Sequence, residues 1–398
     1  MLKNSFSPWP YFSEEEIKAV ETVLRSNKVN YWTGEECKMF EKEFASFVGV
    51  DYAVSLANGT VAIDAALLAL GVGPGDEVIV TSRTFLASVT SIVNIGAIPV
   101  FSDVDRETQN ISALTIASCI SNRTKAIICV HLAGWPCDMD PIMELAKKNN
   151  LFVVEDCAQA HGARYKGKSV GSIGDIGCWS FCQDKIITTG GEGGMITTNQ
   201  YGLWSFIWSY KDHGKSYDAI NKKNISFGFQ WFHETFGTNW RMTEMQAAIG
   251  RVQLRSINEW NKARICNAKK IWSVAENIEG IRVPSLRCTS CEGNCCNSNS
   301  CVHAAYKCYV FVEKGQKFRD QLITMINSKG VPCYSGSCPE VYLEKAFNLT
   351  PFKPKNRLRV AKELGETSLM FLCHPTLKRD EIQKTCDVLV DCNIKLML

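Results

Sequence analysis

Long apolar runs are missing from this chain. No window approaches the roughly 18–20 apolar residues that a membrane-crossing helix needs. The start, "MLKNSFSPWPYFSEEEIKAVETVL", has no apolar core ahead of a small-residue cleavage site. Neither a membrane span nor a signal peptide is expected, and the sequence reads as soluble and cytoplasmic. A surplus of one charge is missing too. Lys and Arg number 44 against 41 acids, a formal net charge of +3, and no basic stretch is interleaved with aromatics. Nucleic acid is therefore not an expected partner. Internal repeats are absent.

Cysteine is not scarce. Nineteen occur, but an odd number scattered over a long chain does not make the disulfide framework of a small secreted domain. Most are expected to be reduced, buried, small apolar residues. The 398 residues, 45% of them apolar, are enough for two packed units with sizeable cores.

Between about residues 50 and 200 short apolar runs alternate with helical patterns. The strand candidates are "YAVSLA", "EVIVTS", "IPVFSDV", "KAIICVH", "LFVVEDC", "GCWSF" and "GMITT". Helical stretches lie between them, and two of these stop at Gly71 and Gly96, as helices do. This alternation predicts an α/β fold with a mostly parallel, helix-covered sheet. Ligands of such sheets bind beyond the carboxyl ends of the strands. After residue 240 a long helical stretch, "MTEMQAAIGRVQLRSINEWNKARICNAKKIWSVAENI", is expected to break or bend near its middle. Strands and helices follow it. The division expected is a large domain over 1–255, including the N-terminal segment, and a smaller C-terminal α/β domain over 256–398.

Several residues could carry chemistry. In "SLANGTVAIDAALLALG" a strand ends, Asn58-Gly59-Thr60 turns, and an apolar helix begins. Its first amides can hold a phosphate; the same turn is equally an ordinary N-cap. In "VVEDCAQAH", Asp156 ends a run buried on both faces, where a carboxylate needs a cation or a cap. Gln159 and His161 follow, the histidine reading as a structural hydrogen-bonding residue. In "SFCQDKIITTGGEGG", Lys185 stands between two strand-like runs, flanked by Ser180, Thr188, Thr189 and glycines. A nucleophilic lysine must lose its proton, which calls for burial or a nearby cation; a hairpin lysine needs neither. Phe85, in "TSRTFLAS", is either a ring-stacking aromatic or a core residue. Together, an anion-binding helix start, a carboxylate for a ring nitrogen, a stacking aromatic and a Schiff-base lysine are what pyridoxal phosphate requires.

Along nearly its whole length the chain resembles the DegT/DnrJ/EryC1/StrS family of sugar aminotransferases. The resemblance rests on "YWTGEECKMFEKEFASFVGV", "SLANGT", "VHLAGWPCDMDPI", "VEDCAQAHGARYKGKSVGSIGDIGCWSF", "DKIITTGGEGGMITT" and "NWRMTEMQAAIGRVQL". It implies a fold-type I pyridoxal-phosphate enzyme with a seven-stranded sheet, acting as a homodimer with shared sites. Lys185 would bear the cofactor, and Asp156 would pair with its ring nitrogen. Gln159 would lie against the ring near its hydroxyl, and Phe85 would stack on the other face. Gly59, Thr60 and Ser180 would bind the phosphate. Asn239, with its neighbour Arg241 as the weaker choice, would reach the phosphate from the partner subunit. Lysine rather than histidine at position 185 implies transamination instead of dehydration. The implied donor is L-glutamate, and the implied acceptor a nucleotide-linked 4-keto-6-deoxyhexose on the way to an amino sugar of surface polysaccharide. A 3-keto sugar, a long-chain keto sugar acid or a keto-inositol is an alternative acceptor. A pyridoxal-phosphate-binding regulator without turnover is an alternative function.

One stretch departs from that pattern. Residues 288–301, "CTSCEGNCCNSNSC", are a cysteine-rich insertion. Cys288, Cys291, Cys295, Cys296 and Cys301 are soft ligands suited to zinc or an iron–sulfur centre, or they are surface thiols with no ligand.

Overall fold

The computed structural model describes residues 6–221, 231–286 and 300–397. Its largest element is a seven-stranded sheet. The strands are β1 (Tyr52–Leu56), β2 (Glu77–Thr81), β3 (Ile98–Ser102), β4 (Thr124–Val130) and β5 (Phe152–Asp156). A short ribbon of β6 (Arg164–Tyr165) and β7 (Lys168–Ser169) precedes β8 (Ile176–Ser180) and β9 (Gly194–Thr198). The sheet order is β1-β9-β8-β5-β4-β2-β3. Strands β3, β2, β4, β5 and β8 run parallel, while β9 is antiparallel to both of its neighbours. All seven runs marked in the sequence are strands of this sheet. They are apolar on both faces because helices cover both faces.

Helices α1 (Glu14–Ser26) and α2 (Glu36–Val48) precede the sheet, and α3 (Gly59–Ala69), α4 (Ala87–Asn94), α5 (Ala113–Ala117) and α6 (Met139–Lys148) connect its strands. Gly71 and Gly96, just past α3 and α4, have φ of 68° and 81°, the left-handed stop expected of them. Helices α7 (Tyr201–Tyr210) and α8 (Tyr217–Asn221) follow β9.

Helix α9 (Glu244–Ala275) corrects one expectation. It is continuous over 32 residues, not broken near its middle. No proline interrupts it, and its one glycine, Gly250, faces the Phe40 ring so closely that a Cβ would meet that ring at 2.6 Å. The glycine marks tight packing on α2, not a hinge. A second, antiparallel sheet has the order β10-β11-β13-β12, from Ile281–Arg282, Cys308–Val312, Ser368–Phe371 and Cys333–Tyr334. Helices α10 (Gln316–Ser328), α11 (Arg359–Thr367) and α12 (Arg379–Met397) accompany it, and α12 packs on α9. The sequence-stated boundary at residue 255 falls inside α9. Among the described residues no helix is long and apolar enough to cross a membrane.

Candidate active site

The carboxyl edge of the large sheet gathers the candidate residues. Asp156 is the last residue of β5 and is buried. Its Oδ2 accepts from the Ser88 hydroxyl at 2.8 Å and its Oδ1 from the Ala158 amide at 3.1 Å. The carboxylate therefore caps the following turn and is also held in a fixed direction by α4. Gln159 is buried beside it, with Oε1 accepting from the Ala133 amide at 2.8 Å. That bond orients the side chain, with the amide nitrogen on its other end.

Ser180 ends β8 next to Asp156's strand, and the start of α3 presses against it. A Cβ on Gly59 would lie 2.6 Å from the Ser180 Cβ, and one on Gly194 would lie 2.2 Å from the Asn58 carbonyl oxygen. Only glycine permits this approach. Asn58 caps α3 by accepting from the Val61 amide at 3.0 Å. The amides of Gly59 and Thr60 follow the Asn58 cap in the first turn, where intrahelical acceptors do not exist.

Lys185 lies in the loop between β8 and β9 with its side chain 14% exposed. Its amine is 3.8 Å from an Asp184 oxygen and 5.3 Å from the centre of the Tyr306 ring. Its carbonyl accepts from the Trp9 indole N–H at 2.9 Å. Asp184 also accepts from the Tyr306 hydroxyl. Burial would raise the Asp184 carboxyl, but the Lys185 charge and the Tyr306 hydrogen bond outweigh it and hold the group below its usual value. Tyr306 is itself pushed up, by burial first and then by Asp184.

His161 is fully buried among Trp179 and Phe181, and among the described residues neither ring nitrogen makes a well-formed hydrogen bond. Burial, then the charges of Lys185 and Arg264, pull it down to about 3 against a backbone contact at Ser180 that favours the charged ring, so it is a neutral ring beneath the lysine loop. Phe85 is 71% exposed, which removes the core reading and leaves its ring free beyond β2. Asn239 is exposed, in a backbone bridge with Asp212. Arg241 instead donates to buried Asp212 at 2.5 Å within the chain.

Of the metal candidates, Cys288, Cys291, Cys295 and Cys296 lie outside the described residues, and Cys301 is half-buried. Among the described residues one trio, His131, Glu155 and Cys157, has ligand atoms near enough to share an ion. Its polar atoms are already engaged. His131 Nδ1 accepts from the Cys137 amide and Nε2 donates to Glu155 at 3.0 Å, while Glu155 accepts from the amides of Gly171, Ile173 and Gly174. This is a buried hydrogen-bond knot under the β5 terminus.

Sequence reading missed Ser88, Trp9, Tyr306 and Lys307, because each acts through a contact distant in the chain. A faint signal existed for Trp9, a lone indole between two prolines in a polar segment.

The comparisons with known proteins agree with this geometry. The GDP-perosamine synthase of Escherichia coli O157:H7 is 48% identical over 243 residues, 61% of this chain; the aligned stretch covers 62% of that relative, under two thirds of its length. The X-ray structure of the aminotransferase from Psychrobacter cryohalolentis is 56% identical, with a TM-score of 0.93, covering 99% of this chain and 100% of that one. The Streptococcus pneumoniae protein Spr1654, solved in its PLP form, is 25% identical with a TM-score of 0.87 over 99% of this chain and 100% of its own. Residues 10–390 match the family profile, and the chain belongs to the DegT/DnrJ/EryC1/StrS aminotransferase family.

Proposed function

We propose that this protein is a pyridoxal-phosphate-dependent aminotransferase that moves an amino group from L-glutamate to a nucleotide-linked keto-sugar, a 4-keto-6-deoxyhexose. The observation that carries the reading is a convergence at one sheet edge. Lys185 with its mostly buried side chain, the carboxylate of Asp156 held by Ser88 and the α3 start crowded on Ser180 all lie at that edge. The name carried by the Escherichia coli relative supports the sugar class.

The residues fit the cofactor. The glycine cradle at Gly59 and the first amides of α3, with Thr60 and Ser180, suit its phosphate. Asp156 suits a positively charged ring nitrogen, and Ser88 keeps its carboxylate aimed. Gln159, fixed by Ala133, suits the ring hydroxyl, and Phe85 offers a face to cover the ring. Lys185 would hold the aldehyde carbon. When bound, pyridoxal phosphate supplies the electron sink that lets an amino group leave one carbon and join another.

The chain's own share of the chemistry is proton transfer and orientation. Once displaced from the cofactor by the donor, the Lys185 amine takes the proton from the donor's α-carbon and returns one to complete the half-reaction. Asp184 steadies that amine, while its bond to Tyr306 limits how far the carboxylate can swing. Asp156, aimed by the Ser88 hydroxyl, would pair with the ring nitrogen of the bound cofactor. The acceptor half runs the same proton movements in reverse, which predicts ping-pong kinetics.

Exposed Asn239 and exposed Phe85 accord with a homodimer in which Asn239 reaches the partner's phosphate site. Borohydride reduction of the holoprotein, then peptide mapping, tests the assignment. The cofactor mass is expected on the peptide containing Lys185, and a label elsewhere would reject it. Lys185→Ala should abolish transfer. An amination assay across several keto-sugar nucleotides, with glutamate as donor, identifies the acceptor.

A further inference from the structure

Positive charge is in excess around Lys185. Arg264 and Lys307 both feel the same single carboxylate, Asp184, and Asp184 is already shared between Lys185 and the Tyr306 hydroxyl. Arg264 is buried under Trp9, 4.7 Å from that ring, and among the described residues its Nε and Nη2 have no hydrogen-bond partner. Lys307, next to Tyr306 at the start of β11, is half-buried. Among the described residues its amine has no hydrogen-bond or ion-pair partner and rests 4.7 Å from the centre of the Tyr306 ring. Lys185 and Lys307 thus hold the same ring, at 5.3 and 4.7 Å. Lys307 also lines a small recess with Gln109, Ala133, Trp135, His303 and Tyr309. Ala133 is the residue that fixes Gln159, so the recess adjoins the candidate active site.

We propose that Lys307 is an oxyanion anchor of the active site, its ammonium binding a carboxylate or phosphate oxygen of a substrate whose reacting carbon lies at Lys185. This rests on the aminotransferase reading above. A half-buried cation that shares its one nearby carboxylate, Asp184, with Lys185 and Arg264 gains from a bound anion. Burial pulls the Lys307 amine below its ordinary value, and Asp184 pulls it part of the way back. The distal carboxylate of the amino donor is one source of such an anion. The diphosphate of the sugar nucleotide is the other source of the same chemistry.

Steady-state kinetics of holoenzyme Lys307→Gln and Lys307→Arg separate the two, because a ping-pong scheme gives each substrate its own KM. For a donor anchor, Lys307→Gln raises the KM for glutamate by about 10- to 100-fold, the worth of a charged hydrogen bond. The KM for the keto-sugar nucleotide then stays unchanged, and Lys307→Arg restores most of the loss. A rise confined to the keto-sugar nucleotide assigns the diphosphate as the anion. If neither KM moves, the proposal is overturned. Should Lys307→Gln fail to hold cofactor, the wild-type and Lys307→Arg enzymes still decide. Both must prefer glutamate to glutamine, its uncharged isostere, or show competition by inorganic diphosphate; absence of both effects overturns the anchor. Failure of the underlying reading looks different, since the wild-type protein would then transfer no amino group at all.

Discussion

Tyr306 donates its hydroxyl proton to Asp184, 122 residues away in the chain, and the same carboxylate stands 3.8 Å from the Lys185 amine. The segment leading into β11 of the second sheet thereby steadies a loop of the first. In Tyr306→Phe the Asp184 carboxyl loses one of the influences that hold it down, while the charges of Lys185 and Lys307 remain, so its pKa rises. If ionised Asp184 is what steadies the lysine, the acid limb of the kcat profile moves to higher pH. An acid limb in the same place removes Asp184 from the mechanism.

Asp156 is expected to be the most sensitive carboxylate. Asp156→Asn keeps the shape and the Ser88 contact but removes the charge opposite the cofactor ring. A loss of roughly 10²–10³-fold in kcat is expected, the range for deleting one electrostatic element aimed at a reacting group. Ser88→Ala should cost far less, about 1 kcal/mol of orientation. Equal effects of the two variants would contradict a charge-based role.

The contact of Gly59 with Ser180 can be tested by exchanging volume. Gly59→Ala puts a methyl 2.6 Å from the Ser180 Cβ, which should destabilise the fold by about 1–3 kcal/mol through overpacking and release cofactor. Ser180→Gly in the same chain removes the clash and should recover stability in a thermal melt, though not cofactor affinity, since the serine hydroxyl is gone. No recovery would mean that the two residues are not in contact.

Trp9 ties the N-terminal segment to the lysine loop through its bond to the Lys185 carbonyl, and packs on Trp260, His374 and Arg264. Trp9→Phe keeps an aromatic ring but deletes the donor. We expect a stability loss of about 1 kcal/mol from that bond alone, with kcat reduced more than either KM because the lysine backbone is freed. An unchanged kcat would reduce Trp9 to a packing residue.

Acid should unfold the chain early. The folded state holds His161 at about 3, because burial and then Lys185 and Arg264 oppose its proton, against an ordinary value of 6.5. Below pH 6.5 the unfolded chain binds that proton and the folded chain does not, so stability falls as pH drops from 6.5 toward 3. His161→Phe removes this contribution, and its melting temperature should vary less over that interval than the wild type's. Parallel curves for the two proteins would place His161's titration elsewhere.

The large sheet was legible in the sequence because its information is local. Each strand is an apolar run bounded by turn residues, and Gly71 and Gly96 mark helix ends through their own backbone conformation. Lys185, Asp156, Gly59 and Ser180 were legible as candidates because each sits at the end of such a run, where an α/β sheet exposes its chemistry. What the sequence could not show was which distant groups complete them. Tyr306, Trp9, Ser88 and Lys307 have no local pattern that distinguishes them from ordinary core or surface residues. His161 looked like a hydrogen-bonding residue, but a polar ring's partners depend on what packs around it. Helix α9 was expected to break or bend, because its sequence does not show the close packing on α2 that Gly250 allows. The succession of strands and helices along the chain follows from backbone preferences written residue by residue. The surroundings of Lys185 arise only when segments far apart in the chain are folded together, because electrostatics and close packing act through space.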